Sequence, residues 1–301
     1  MEVFELGPLA GGLNNQKMSI AGLFATAIER NGKVRIPDHV FDFTPMAGKS
    51  PSESDTLQIW EAFDQNTFLN SIPENLLTEK PATEVLSFND CFPAGAKALT
   101  RAAKPNFDPE EDKAASAAIT VTANLVPTQQ LQQVAADITG HFDLSRVTAL
   151  QLRIERDWQE HLIRKFGSVE LTRDNEHVTV DVDKIFSKIA NTPELSGVDR
   201  IWACCDEDDL LIEKSSIKVA AANYGFKIEF KSDLPDGIDY PESRLKRSLI
   251  DFQIAMNLRN YVGLSLSTFS NILLIVARHN KNHELNHFIY NVVGDRCKKR
   301  T

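Results

Sequence analysis

Cysteine is scarce in this chain of 301 residues and is poorly spaced for chemistry. Its four cysteines, Cys91, Cys204, Cys205 and Cys297, match no zinc-ligand pattern, and two are neighbours in an apolar, strand-like run. This excludes a cysteine-ligated zinc scaffold and points to reduced structural thiols in a cytoplasmic protein. Positive charge is also lacking. A net charge of -9 argues against a general nucleic-acid binder, although a local basic pocket for a phosphorylated small molecule remains compatible with it. Long hydrophobic runs are absent. The most apolar window, Leu264 to Ala277, is interrupted by serines, a threonine and Asn271, and is too short and polar to span a bilayer. The opening Met1 to Gly7 has no basic stretch or apolar run of the kind a signal peptide needs. No internal repeat or low-complexity tract occurs. What is present is 42% hydrophobic and 25% charged residues, enough for a full core in one large α/β domain or two smaller ones.

The hydrophobic periodicity alternates between strand and helix. Val3 to Leu6 reads as a strand, Gly7 to Gln16 as a glycine-rich turn, Lys17 to Arg30 as a helix, and Lys33 to Pro37 as the next strand. This start predicts a parallel sheet. Residues 44 to 55 read as a loop, and Leu57 to Phe63 and Thr67 to Ile72 as short helices. Thr78 to Asp108 has a weak pattern broken by prolines. Ala118 to Leu125 reads as a strand and Pro127 to Gly140 as a helix. The second half is more regular. Strands are expected at Val147 to Arg153, Asp199 to Cys205, Phe226 to Phe230 and Asn260 to Leu264. Helices are expected at Trp158 to Phe166, Asp183 to Asn191, Glu213 to Tyr224, Glu242 to Leu258, Ser267 to His279 and Lys281 to Val293. The expected fold is α/β with two doubly wound domains. They cover residues 1-143 and 144-301, with room for the last helix to return to the N-terminal domain.

Several stretches carry chemistry. Arg153, Glu155, Arg156 and Asp157 follow an apolar strand, at the sheet edge where open α/β folds bind ligands. Arg153 can be half of a salt bridge with Glu155 or Asp157, or a bidentate phosphate ligand, and local chemistry leaves both open. Gly11, Gly12, Asn14, Asn15 and Gln16 form a turn that serves as a plain helix start, or as a place where glycine lets a ligand approach backbone amides. The turn does not fit Gly-x-Gly-x-x-Gly. Ser267 and Thr268 can cap a helix and bind phosphate with the same groups. The acidic run Asp206 to Asp209 reads as a solvent-facing strand end with capping duty rather than a hard-metal site.

Two motifs mislead. His283-Glu284-Leu285-Asn286-His287 spells the zinc-protease signature, and a zinc hydrolase is one competing reading. It needs a third protein ligand, and no His or Glu follows in the last fourteen residues. Ala47-Gly48-Lys49-Ser50 resembles the end of a P-loop, but Phe43 stands where the first glycine is required.

Three of these signals occur in one order. Gly12-Leu-Asn-Asn15-Gln16, Leu150-Gln-Leu-Arg153-Ile-Glu-Arg-Asp157-Trp158, and Asp251 followed by Val262-Gly263 and Ser267-Thr268-Phe269 resemble the motifs of GDP-fucose protein O-fucosyltransferases and α1,6-fucosyltransferases. Asp206 falls at another strand end of that pattern. The resemblance spans nearly the whole chain. It implies a GT-B fold, with two Rossmann-like doubly wound domains facing a cleft. It also implies inverting, metal-independent transfer of L-fucose from GDP-L-fucose to a protein or glycan hydroxyl, with no cofactor.

By motif position, Arg153 would bind the β-phosphate, and Asp157 would position it or touch the sugar. Asp251 would face guanine, and Ser267, Thr268 and Phe269 would line the diphosphate and base. Gly12, Asn14, Asn15, Gln16, Gln151 and Asp206 complete the expected substrate contacts. The family's histidine is Gln151 here, and its second serine is Thr268. Asn14, Asn15 and Gln16 cannot accept a proton at neutral pH, which leaves Glu155 as the candidate base. A protein that binds GDP-sugars without turnover is the alternative.

Overall fold

The computed structural model describes residues 1–9, 11–42, 55–167, 172–173, 176–177, 179–235, 237–280 and 285–300. The chain divides into two compact units. Unit 1 holds Met1–Gln132, Pro241–Leu249 and Ile275–Lys281; unit 2 holds Gln133–Tyr240, Ile250–Leu274 and Asn282–Thr301.

Unit 1 begins with strand β1 (Val3–Leu6), helix α1 (Leu13–Glu29), and strand β2 (Lys33–Val34). Strands β3 (His39–Phe41) and β4 (Thr56–Gln58) pair antiparallel, followed by short helices α2 (Ile59–Ala62) and α3 (Gln65–Ser71). Strand β5 (Glu84–Leu86) joins β1 and β2 in a parallel sheet of order β2-β1-β5. Helices α4 (Phe88–Ala102) and α5 (Lys113–Asn124) pack on α1. A Cβ added to Gly22 of α1 would lie 1.9 Å from the Cys91 carbonyl oxygen. One added to Gly95 of α4 would lie 1.9 Å from that of Met18. The two helices therefore touch backbone to backbone, which only glycine permits at these positions.

Three stretches of this half differ from the sequence-based expectation. Ala118 to Asn124 is helical, although Ile119, Thr120, Val121 and Thr122 favour strand. Asp112 caps α5 by accepting from Ala115 N at 3.0 Å, and Thr122 Oγ1 donates back to the Ala118 carbonyl at 2.8 Å. The proline-broken stretch from Thr78 contains β5 and α4. A capping box between Ser87 and Asp90 starts α4, and the helix carries Pro93 inside it. Leu57 to Phe63 opens in β4 and becomes helical only at Ile59.

Unit 2 is built on a six-stranded sheet. Helix α6 (Gln129–Gly140) leads to strand β6 (Val147–Gln151), every residue of which is buried. Then come α7 (Arg156–Phe166), the hairpin β7 (Thr172–Arg173) and β8 (Glu176–His177), and α8 (Val182–Ala190). After these lie β9 (Arg200–Cys204), α9 (Lys214–Ala222), β10 (Lys227–Glu229), α10 (Arg244–Asn257), β11 (Asn260–Gly263) and α11 (Thr268–His279). Strands β12 (Asn286–Ile289) and β13 (Lys298–Arg300) close the chain.

The sheet order is β10-β9-β6-β11-β12-β13, parallel except for the β12–β13 pair. A core of Leu150, Ile185, Phe186, Ile201, Ile228 and Val262 packs around the sheet. Of the expected helix over Lys281 to Val293, the described residues form β12 and the loop that follows, because His287, Phe288 and Ile289 supply a buried strand. His287 therefore lies on β12, stacked on Tyr261 at 5.1 Å, rather than on a helix. His283, Glu284 and the stretch Ala47 to Ser50 lie outside the described residues. Among the described residues no helix is long and apolar enough to cross a membrane, and all four cysteines are buried and unpaired.

Candidate functional site

The order of the unit 2 sheet identifies its own crevice. From β6 the chain winds outward through β9 and β10, then returns to β11 on the other side of β6. The winding reverses between β6 and β11. Ligands of open α/β sheets bind beyond the carboxyl ends of the two strands that flank such a point. The loops emerging there are Leu152 to Glu155 and Leu264 to Ser267. The first holds Arg153 and Glu155, and the second leads into Ser267, Thr268 and Phe269.

Arg153 is held by its neighbours. Nη1 lies 3.5 Å from Glu155 Oε2 and Nη2 lies 3.4 Å from Asp157 Oδ2. Its guanidinium carbon sits 4.9 Å over the Trp158 ring, which stacks on His161 at 5.7 Å. The side chain is 22% exposed, enough to meet a ligand. Arg153 Nε donates no hydrogen bond among the described residues. An always-charged fork with an unused donor is suited to oxyanions.

Glu155 is buried beneath this arginine. Its Oε1 accepts from Asp206 N at 3.3 Å, while Oε2 accepts no hydrogen bond among the described residues. Burial pushes its carboxyl up to about 7, although the Arg153 charge pulls the other way. Asp157, by contrast, is exposed, and its backbone N–H donates to Asp209 Oδ2 at 3.0 Å.

Gln151 ties the two loops together. Nε2 donates to Ser267 Oγ at 2.8 Å, and Oε1 accepts from Tyr261 Oη at 3.1 Å and Ser270 Oγ at 2.9 Å. Ser270 Oγ also accepts from Leu264 N at 3.2 Å. Ser267 Oγ accepts from Phe269 N at 3.2 Å, so this serine caps α11. Thr268 opens the helix, half-buried. Phe269 stacks on Tyr261 at 6.2 Å and meets Phe252 edge-on at 5.3 Å. Gln151 was expected among the substrate contacts. It is buried, and its amide is engaged by these internal partners.

A second layer supports the edge. Tyr290 is buried after β12, and its Oη accepts from Arg153 N at 3.4 Å. Asn291 Oδ1 accepts from Ser265 N at 3.0 Å, and Glu176 of β8 accepts from Ser265 Oγ.

Asp251 stands apart from Arg153. It lies on α10, where Oδ2 meets Lys231 Nζ at 2.7 Å and Oδ1 accepts from Trp202 Nε1 at 3.2 Å. Lys231 Nζ also donates to the Cys205 carbonyl at 2.7 Å. Burial pushes Asp251 up to about 6, with Lys231 opposing. Burial lowers the Lys231 pKa, but the charge and hydrogen bond of Asp251 together with Tyr240 and Cys205 more than offset it, and the amine is held charged. The guanine-facing role expected for Asp251 thus meets a carboxylate with both oxygens engaged inside unit 2.

The acidic run is structural. Asp206 accepts from Asp208 N at 3.3 Å, Asp209 receives Asp157 N, and Glu207 pairs with Lys214 at 2.9 Å. Among the described residues no cluster of three His, Cys, Asp or Glu side chains is placed to hold a metal ion.

The remaining expected residues lie in unit 1 at the start of α1. Gly11 has φ +78, and a Cβ there would fall 2.4 Å from Asn15 Nδ2. Gly12 precedes the helix and is exposed. Gln16 is committed to structure: Nε2 donates to the Phe41 carbonyl at 2.8 Å, and Oε1 accepts from Phe41 N at 2.9 Å. Asn14 Oδ1 and Asn15 Oδ1 are buried and accept no hydrogen bond among the described residues.

Tyr261, Ser270, Tyr290 and Lys231 were given no site role from the sequence, and Trp158 entered only as the end of the quoted motif. The Ser267/Ser270 spacing of one helical turn was the available signal for the second of these.

No family model matches the sequence, and no curated protein matches it. Solved structures do. POFUT1 in complex with GDP aligns with TM-score 0.59 at 12% identity, covering 97% of this chain and 98% of that one. POFUT1 in complex with GDP-fucose gives the same four values. The apo form of POFUT1 gives TM-score 0.60 at 12% identity, with 97% and 98% covered. At this identity the likeness is one of fold, and the chain has the α/β GT-B fold of POFUT1 over nearly its whole length.

Proposed function

We propose that the protein is a GDP-fucose-dependent fucosyltransferase, inverting and metal-independent, that moves L-fucose from GDP-L-fucose to a protein or glycan hydroxyl. One observation carries this reading. Arg153 and the capped start of α11 emerge on either side of the crevice where the sheet of unit 2 reverses its winding. The fold likeness to a protein solved with GDP and GDP-fucose supports the donor. In this reading residues 144–301 bind the donor and residues 1–143 serve the acceptor. The four unpaired thiols fit a cytoplasmic setting.

The chemistry follows from charge. As the glycosidic bond breaks, its electron pair moves onto the β-phosphate oxygen. The acceptor oxygen attacks from the opposite face and passes its proton to solvent, while the diphosphate leaves as the anion. The Arg153 fork and the first-turn amides of α11 meet the developing charge with fixed donors, so little reorganisation is needed. Asp157 orients Arg153 from the exposed side and Trp158 supports its face. Gln151 holds Ser267, Thr268 and Phe269 in place for the diphosphate and base.

Isothermal titration calorimetry with GDP tests the donor site. Arg153→Ala should weaken GDP about 10- to 100-fold, the value of a charge-assisted hydrogen-bonded contact. An intact protein that binds neither GDP nor GDP-fucose would sink the reading.

A second reading is a GDP-sugar-binding protein without turnover. It is favoured by Gln151, whose amide oxygen and nitrogen both bind internal partners where the resemblance places a histidine. Release of GDP from GDP-fucose with a supplied acceptor excludes it.

A further inference from the structure

We infer that Glu155 is the proton-carrying group of the donor site: a diphosphate that binds at Arg153 draws one proton from solvent onto the Glu155 carboxyl. The inference rests on Arg153 as the diphosphate ligand and gives that site a proton-linked affinity.

The geometry leaves Glu155 no escape into water. Its side chain is 2% exposed. Its backbone bridges to Leu210 on one side and leads directly into α7 on the other. Oε1 is anchored by Asp206 N, so only Oε2 faces Arg153 without a hydrogen bond among the described residues. The titratable groups around it come from three elements. Arg153 and Asp157 belong to its own segment, Cys205 and Asp206 to the end of β9, and Tyr290 to the end of β12. Of these, Arg153 alone is a cation.

In the free protein that cation is shared between Glu155 and Asp157. A bound diphosphate adds two negative charges to the same guanidinium. An ionised Glu155 then repels the ligand at short range in a site with little water to screen it. Hydrogen bonding points the same way. Ionised carboxylate and diphosphate are both acceptors only, so Oε2 stays unpaired beside the ligand. A protonated Oε2 becomes a donor, releases Arg153 to the phosphate and gains a charge-assisted bond of its own. Burial has already brought the carboxyl to about 7, so little added charge is needed to tip it near neutral pH. Glu155 is then an acid when donor is bound, and so a poor base for the acceptor hydroxyl.

The test is calorimetry of GDP-L-fucose without acceptor, at about pH 7.5, in HEPES and in Tris. The doubly substituted diphosphate of this ligand has no proton of its own to exchange near neutrality. The dependence of measured heat on buffer ionisation enthalpy counts protons taken up. With a free-state value about 7, about three-quarters of Glu155 is ionised at that pH, so wild type should take up roughly 0.5–0.8 proton per ligand. Glu155→Gln should bind with almost none, while Glu160→Gln, at an exposed position on α7, should keep the uptake. Should Glu155→Gln fail to fold, wild-type affinity decides alone. Its Kd should rise with pH above about 7, approaching tenfold per unit. Binding with buffer-independent heat, a Kd flat from about pH 6 to 8.5, or unchanged uptake in Glu155→Gln each overturns the inference while leaving the donor reading intact. Absence of any GDP-L-fucose binding overturns both.

Discussion

Replacing Lys231 with methionine removes the cation from a pair whose partners are both under a tenth exposed and 2.7 Å apart. What remains is a buried Asp251 carboxylate with one neutral partner, Trp202 Nε1 at 3.2 Å, and a Cys205 carbonyl stripped of its 2.7 Å bond. Breaking one side of a buried pair costs about 3–5 kcal/mol, and the orphaned carbonyl adds about 1 kcal/mol. Set against a usual total of about 5–15 kcal/mol, this is a large fraction of the stability. Asp251→Asn should cost less, because Lys231 keeps the Cys205 carbonyl. The double variant restores neutrality and should fall short of the summed costs by about 1–3 kcal/mol.

The pH dependence has a definite sign. Asp251 already titrates above its ordinary value, at about 6, and loses its chief counter-charge in Lys231→Met. A carboxyl whose folded-state value is raised destabilises the fold as pH climbs from its unfolded value through the folded one. The Lys231→Met defect should therefore be small below about pH 6 and grow as pH rises above it, because without Lys231 the folded-state value of Asp251 moves higher still. Urea unfolding followed by tryptophan fluorescence measures it, with GDP affinity determined on the same variants. Suppose Asp251→Asn lost less than about 1 kcal/mol of stability while weakening GDP tenfold or more. The carboxylate would then face the nucleotide and the internal pairing would be refuted.

Two further outcomes follow from packing and from the buried amide. Gly95→Ala places a methyl 1.9 Å from the Met18 carbonyl oxygen, so α1 and α4 must separate. A loss of about 2–3 kcal/mol is expected, read as a lowered Tm; an unchanged Tm would show that these helices do not touch as described. Gln151→Leu removes partners from Ser267, Tyr261 and Ser270 together, costing about 1–3 kcal/mol and weakening GDP through the displaced start of α11. Full GDP affinity in a folded Gln151→Leu protein would show that the amide does not set that loop.

Much of unit 2 was legible in the sequence because its strands are short apolar runs ending in charge or glycine. Val147 to Gln151 and Asn260 to Gly263 are of this kind, and periodicity alone finds them. Unit 1 was harder. Ile119 to Thr122 has strand chemistry but sits in a capped helix held by packing against α1, which is a tertiary effect. His287 looked like half of a helical pair, yet the apolar Phe288 to Tyr290 decides the local structure.

At the candidate site, Arg153 and Ser267 could be named from sequence because strand ends and helix starts have local signatures. The pairing of Asp251 with Lys231 could not. The two are twenty positions apart on different elements, and a buried ion pair leaves no periodic trace. Gln151 was noted only as a departure from the resembled motif. Its work in joining two loops depends on Tyr261 and Ser270, which only the β6–β11 pairing brings to it.

The two units are woven through the sequence rather than laid end to end. A fragment ending at Gln132 would lack Ser243 and Leu245, whose Oγ and backbone N–H donate to Asp42, and would leave that carboxylate in need of water. A fragment starting at Gln133 would carry Pro241–Leu249 and Ile275–Lys281 without the unit they pack into. No single cut in the gene yields both halves whole. Neither half is a module that recombination could pass on as one exon-like block, and substitutions in α10 and α11 answer to both units at once.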